Sequence, residues 1–140
     1  MTCNHLVVDT DVVSHLYGNC PEADKVLDLL RDAKKALAFA SIANLLSAAR
    51  RNEWDKRRIG QLDAYLRRQF AVLPFDIEMP RLWAQLHFDA SRAGHPIAAP
   101  ERGNDLWVAT CAVHYGMPLL TENVRLFLDL PGLEVVGPEA

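Results

Sequence analysis

The stretch HLVVDTDVVSHL, His5 to Leu16, sets Asp9 and Asp11 directly after the apolar run Leu6-Val7-Val8. A carboxylate is costly to take out of water. Acids at the edge of a buried strand therefore either cap the next helix or hold something positive there. Three further groups invite the same question: Ser41 and Asn44, Asn104-Asp105, and Thr121-Glu122-Asn123.

The elements that must position these residues can be read from periodicity and turn chemistry. Leu6 to Val8 reads as a short buried strand, and Thr10 or Asp11 as the start of a helix that runs to about Tyr17 and stops at Gly18. Pro21-Glu22 opens a second helix with Val26, Leu27, Leu29 and Leu30 on its apolar side. Ala36 to Ala40 reads as a second strand, closed by Ser41 as cap of a helix carrying Ile42, Leu45, Leu46 and Ala49. The spacing then predicts a helix over Trp54 to Phe70, an extended piece in AVLPFD, and a helix from Met79 to Ala93. AGHPIAAPERG is a loop by its Gly and Pro content. After it come a helix over Asn104 to Tyr115, a strand in MPLLT, a helical turn in NVRLF and a last strand in LEVVG.

Strands alternating with helices predict an α/β fold, a three-layer α/β/α sandwich around a mainly parallel sheet. Ligands of such folds gather at the carboxyl ends of the strands. Asp9, Asp11, Ser41, Asn44, Thr121, Glu122 and Asn123 all lie just after strands, and Asn104-Asp105 joins them at the start of the late helix.

With 140 residues, half of them hydrophobic, the chain suits a single domain over residues 1–140. The first residues show neither a basic head nor an apolar run, and no segment approaches the ~20 apolar residues of a membrane span. Cys3, Cys20 and Cys111 are odd in number and show no metal spacing, so reduced thiols in a cytoplasmic protein are expected. The five histidines form no HxxxH or HExxH pattern, which speaks against zinc chemistry. A net charge of -3 does not advertise a nucleic-acid binder. Yet Arg50, Arg51, Lys56, Arg57, Arg58, Arg67 and Arg68 crowd one segment, either a solvated helix face or a basic surface for RNA or an acidic partner.

The order VVDTDVVSHL, FASIANLLSAA, GNDLWVATCAVHYGMPLLTENVRLF, LPGLEVV resembles the PIN-domain proteins, specifically the VapC-type toxins of bacterial toxin–antitoxin (VapBC) modules, almost end to end. The resemblance implies a metal-dependent endoribonuclease that is neutralised by a small VapB-type antitoxin and is commonly a homodimer. Asp9 and Asp105 are the two family acids this sequence keeps, and they are the expected ligands of Mg²⁺ or Mn²⁺. Hard oxygen ligands suit these ions, which lower the pKa of bound water and stabilise charge developing on phosphate. Two positions depart. Asn44 stands where relatives usually carry a glutamate, and Leu126 where many carry an aspartate. Asn44 offers a carbonyl but no charge, and Leu126 offers neither, so a two-metal site is not expected and activity is expected to be attenuated. The catalytic set read from the sequence is Asp9, Asn44, Asp105 and Asn123. Asp11 reads as a first-turn acid, Glu122 as a loop acid and Thr121 as structural.

Two readings compete. A PIN scaffold that binds partners without cutting RNA is motivated by Asn44 and Leu126. Its partner surface would be the amphipathic helices between Pro21 and Phe70. The pattern VVDTDVV also matches the DxDxV signature of haloacid-dehalogenase-type phosphatases, with Asp9 as nucleophile. That chemistry wants a later lysine, and none follows Lys56.

Overall fold

A computed structural model describes residues 5–138; Cys3 lies outside them. Five short strands form one sheet: β1 (His5–Val8), β2 (Lys34–Ala38), β3 (Ala71–Leu73), β4 (Leu119–Leu120) and β5 (Val135–Val136). Their order is β3-β2-β1-β4-β5 and every pair is parallel. The strand bearing Asp9 is thus central, with Val7 in register with Ala36 on one side and Leu119 on the other.

Neighbouring residues on each strand enter opposite layers, as the pleat demands. Val7, Ala36, Ala38 and Leu119 pack with Met79, Leu86, Ile97, Leu106 and Val108. Val8, Leu37 and Leu120 pack with Val12, Val13, Leu45, Leu62 and Leu66. The first layer is formed by α5 (Met79–Arg92) and α6 (Gly103–Tyr115), the second by α1 (Thr10–Tyr17), α3 (Phe39–Arg51) and α4 (Lys56–Gln69). A strand buried on both faces is apolar throughout, which is why β1 reads as an unbroken run rather than an alternation.

Several boundaries differ from the sequence reading. β2 begins at Lys34 and ends at Ala38, because Lys34 and Lys35 pair through their backbones with His5 and Leu6. Helix α3 then starts at Phe39, with Ala38 as its N-cap residue, and Ser41 is buried in the first turn rather than capping it. The segment from Pro21 is a 3-10 helix, Pro21–Lys25, broken at Val26 before the single turn α2 (Leu27–Leu30). It buries Ala23 and Val26 while Leu27 and Leu29 stay exposed. Trp54 precedes α4; Asp55 caps that helix, accepting from the Arg58 amide at 2.9 Å.

Two glycines matter for the strand ends. Gly116 closes α6 in the left-handed region at φ 66°, where a side chain would be strained. Gly137 lies so close to β4 that a Cβ there would overlap the Thr121 carbonyl oxygen and reach within 2.7 Å of Val124 Cγ2.

Candidate active site

Among the described residues, five polar or charged side chains are buried: Asp9, Thr10, Ser41, Thr110 and Thr121. Thr110 merely bonds back to the Leu106 carbonyl within α6. The other four form one connected group where β1, β2 and β4 end. Thr121 Oγ1 donates to Asp9 Oδ2 at 2.8 Å, and the Thr10 amide donates to Asp9 Oδ1 at 2.8 Å. Thr10 Oγ1 donates to Ser41 Oγ at 2.8 Å, and the Asn123 amide holds Thr121 Oγ1 from behind at 2.9 Å. Small hydroxyls fit here because the sheet brings the three backbones close and each buried carboxylate oxygen needs a donor.

Asp9 is the N-cap residue of α1, but its side chain bonds the very next amide. A cap proper reaches the second or third amide of the helix. Capping therefore does not account for a carboxylate that is only 3% exposed. Burial pushes its pKa up to about 6, against the lowering bonds from Thr121 and Thr10, and the charges of Asp11 and Asp105 push it further. Asp105, in the first turn of α6, is raised by burial too, opposed by the Arg102 guanidinium whose Nη1 lies 3.3 Å from Oδ2. The structure thus brings Asp9, Asp11 and Asp105 within reach of one another's charge, which leaves this end of the sheet with an excess of negative charge.

The remaining candidates sit differently. Asn44 is half-buried on α3. Asn123 is exposed as the N-cap residue of the turn α7 (Val124–Phe127); its amide, through Thr121, is what serves Asp9. Glu122 is turned to α1, where both its carboxylate oxygens meet His15 Nδ1, at 2.8 and 3.0 Å. Leu126 is buried in the core beside Phe127, so the position has become part of the apolar packing. Thr10, Ser41 and Thr121 form the shell that supports the acid, more than the sequence reading gave them. Their one visible signal is a small hydroxyl residue within three positions of a strand end.

The donor set fits a hard divalent cation. Asp9 and Asp105 supply anionic oxygen, and a cation beside them would offset the cost of burying the Asp9 charge. Among the described residues no group of three or more His, Cys, Asp or Glu side chains could hold a metal by itself. Two carboxylates are still enough for Mg²⁺, which keeps several waters and is held by one or two carboxylates plus substrate phosphate. The buried thiol of Cys111 is not part of this chemistry: burial raises it to about 12.

A second feature lies on the opposite helical layer from α5 and α6. Val13, Tyr17, Leu45, Ala49, Trp54 and Leu62 line a small apolar cavity of about 100 Å³. Exposed Arg50, Arg51, Lys56, Arg57 and Arg58 come from the end of α3 and the start of α4 beside it, and the Arg58 guanidinium lies 4.0 Å from the centroid of the Trp54 ring.

The PIN domain sequence profile matches residues 6–133. Ribonuclease VapC1 of Haemophilus influenzae is 24% identical over 130 residues, covering 91% of this chain and 93% of the relative. The toxin–antitoxin structure VapBC2 of Rickettsia felis, bound to a DNA fragment from its promoter, contains a chain that superposes with a TM-score of 0.77 at 19% identity, covering 96% of this chain and 99% of that one. VapBC-1 of nontypeable Haemophilus influenzae gives 0.75 at 23% identity, covering 95% and 97%. With the profile spanning nearly the whole sheet and both layers, the chain belongs to the PIN domain family.

Proposed function

We propose that this chain is a VapC-type toxin, a Mg²⁺- or Mn²⁺-dependent endoribonuclease neutralised by a cognate VapB-type antitoxin. The observation that carries the reading is the buried carboxylate of Asp9. Two donors hold it at the end of the central strand, yet burial, with the nearby charges of Asp11 and Asp105 adding to it, still pushes its pKa up to about 6. The family relation to Ribonuclease VapC1 supplies the substrate class.

Asp9 and Asp105 would hold the ion, and the ion would supply activation of water and charge stabilisation at the phosphate. Thr121 and Thr10 fix the orientation of the Asp9 carboxylate and keep it ionised at neutral pH. Asn44 offers a carbonyl to a water but cannot take its proton, and Glu122 is engaged by His15. Absence of a general base costs roughly 10²- to 10⁴-fold, so the chain is read as an attenuated nuclease.

The apolar cavity between α1, α3 and α4 receives an amphipathic antitoxin segment on this reading, and the basic residues beside it favour acidic side chains on that segment. Exposed Phe75, Ile77, Phe88 and Leu128 are apolar surface available for a homodimer contact. No helix among the described residues is long and apolar enough to cross a membrane.

Asn44 and Leu126 favour a second reading, in which the PIN scaffold binds partners and cuts nothing. One assay separates the two. The antitoxin-free protein is given structured RNA with Mg²⁺ or Mn²⁺, beside Asp9→Asn and Asn44→Glu. Chelator-sensitive cleavage abolished by Asp9→Asn is the expected result. Cleavage that appears only with Asn44→Glu would establish the scaffold reading. The phosphatase reading loses its ground with the PIN assignment and the missing lysine.

A further inference from the structure

Arg102 has an arrangement that its contact with Asp105 does not explain. It ends a 3-10 turn, Pro100–Arg102, whose closing bond runs from its own amide to the Ala99 carbonyl at 2.9 Å, so its backbone is fixed. Its guanidinium meets Asp105 through a single nitrogen at 3.3 Å, with 44% of its side chain exposed. Strong guanidinium–carboxylate pairs are shorter and two-pronged. Two more exposed pairs, Arg31–Asp28 at 2.7 Å and Arg67–Asp63 at 2.9 Å, are closer, and of the arginine pairs among the described residues only the largely exposed Arg81–Glu78 contact, at 3.8 Å, is looser. The Arg102 contact is loose, and most of the fork's five donors remain for something else.

Among the charged side chains that act on Asp9 and Asp105, Arg102 is the one positive group. A polyanion entering this end of the sheet meets three aspartates that repel it and one arginine that does not. Arg102 is also the N-cap residue of α6 and offers no acceptor to the first-turn amides, so its charge adds to the positive helix end instead of cancelling it. A planar fork of donors matches the oxygens of a phosphodiester.

We propose that Arg102 is a substrate-positioning residue, which leaves its loose contact with Asp105 to bind a backbone phosphate of the RNA next to the acidic site. This rests on the ribonuclease reading above and adds the residue that lets an acidic site accept a polyanion.

The test measures binding rather than turnover. Fluorescence anisotropy of a labelled single-stranded RNA is titrated with the Asp9→Asn protein, alone and combined with Arg102→Gln or Arg102→Lys, over a range of salt. The expected result is about tenfold weaker binding with Arg102→Gln and a salt slope smaller by about 0.7, the share of one phosphate contact on a single strand. Arg102→Lys, which keeps the charge but not the fork, recovers the salt slope and part of the affinity, and the thermal midpoint of every variant stays with its parent. Unchanged affinity and slope in Arg102→Gln would overturn the assignment and leave the ribonuclease reading standing. A loss that Arg102→Lys does not recover, accompanied by a lower midpoint, would make Arg102 a structural partner of Asp105 and equally overturn it. Absence of RNA binding by the Asp9→Asn parent even at low salt would remove the ribonuclease reading and the assignment together.

Discussion

Thr121 Oγ1 and Asp9 Oδ2, 112 positions apart in sequence, meet at 2.8 Å because β4 and β1 are parallel neighbours that end at the same level. The bond lowers the pKa of a carboxyl that burial raises. Thr121→Val keeps the shape and removes the donor. A bond to a charged group is worth about 1.5–3 kcal/mol and one to a neutral group about half that. Urea unfolding should therefore show a loss of about 1.5–3 kcal/mol at pH 7.5 and a smaller loss at pH 4.5, where Asp9 holds its proton. Equal losses at both values would mean that the threonine serves packing alone.

Asp9 itself makes the ion-free protein pH-sensitive. Its folded pKa, about 6, lies above the ordinary 3.8. The folded state therefore keeps a proton that the unfolded chain has released, and stability falls as pH rises from about 4 through 6. Two pKa units correspond to roughly 3 kcal/mol. Asp9→Asn should abolish most of this slope and raise the thermal midpoint at pH 7.5 in chelator. Millimolar Mg²⁺ or Mn²⁺ should raise the midpoint of the native chain by mass action but not that of the variant. An ion that stabilises both equally would be binding elsewhere.

The two departures from the family acids should respond differently to restoration. Asn44 is half-buried, so Asn44→Glu is expected to fold and to tighten Mn²⁺ binding, read by calorimetry. Leu126 is 6% exposed and packs in the core. Leu126→Asp should cost about 2–5 kcal/mol in urea unfolding, because it trades apolar burial for an unpaired carboxyl. A fully stable Leu126→Asp protein would show that this position opens onto the site.

The His15–Glu122 pair gives a second pH dependence of the same sign, in a higher pH window. Its hydrogen bond to Glu122 raises His15 above the ordinary 6.5. The pair's contribution is complete below pH 6.5 and is lost as pH rises through the folded pKa. An NMR titration of the imidazole should show an elevated midpoint that Glu122→Gln returns toward 6.5. A midpoint unmoved by Glu122→Gln would show that the pair is not formed in solution.

Gly137→Ala tests whether the strand end is held by close packing. Its Cβ would overlap the Thr121 carbonyl oxygen and press on Val124, so either β5 or the turn carrying Thr121 must shift. Overpacking of this kind costs about 1–3 kcal/mol. The midpoint should fall, and the apparent pKa of Asp9 should rise as its bond to Thr121 loosens. A drop in stability with no change at Asp9 would confine the strain to β5.

The sequence by itself determined the architecture and the position of the central acid. Val7-Val8 followed by Asp9 requires a doubly buried strand ending in a carboxylate, and the alternation of such runs with amphipathic segments leaves a parallel sheet as the economical packing. Period and end signals placed α1, α5 and α6 to within a residue or two. Local chemistry failed where contacts from elsewhere decide the outcome. β2 recruits Lys34 and Lys35 because β1 offers backbone partners, and Ser41 leaves the cap position for a buried bond with Thr10. Only the tertiary structure decided what surrounds Asp9. Thr121 arrives from a strand 112 positions away, Glu122 is taken by His15, and Leu126 turns into the core. A hydrogen bond depends on where a side chain points to within tenths of an ångström, and sequence spacing carries no such information between segments joined only by folding.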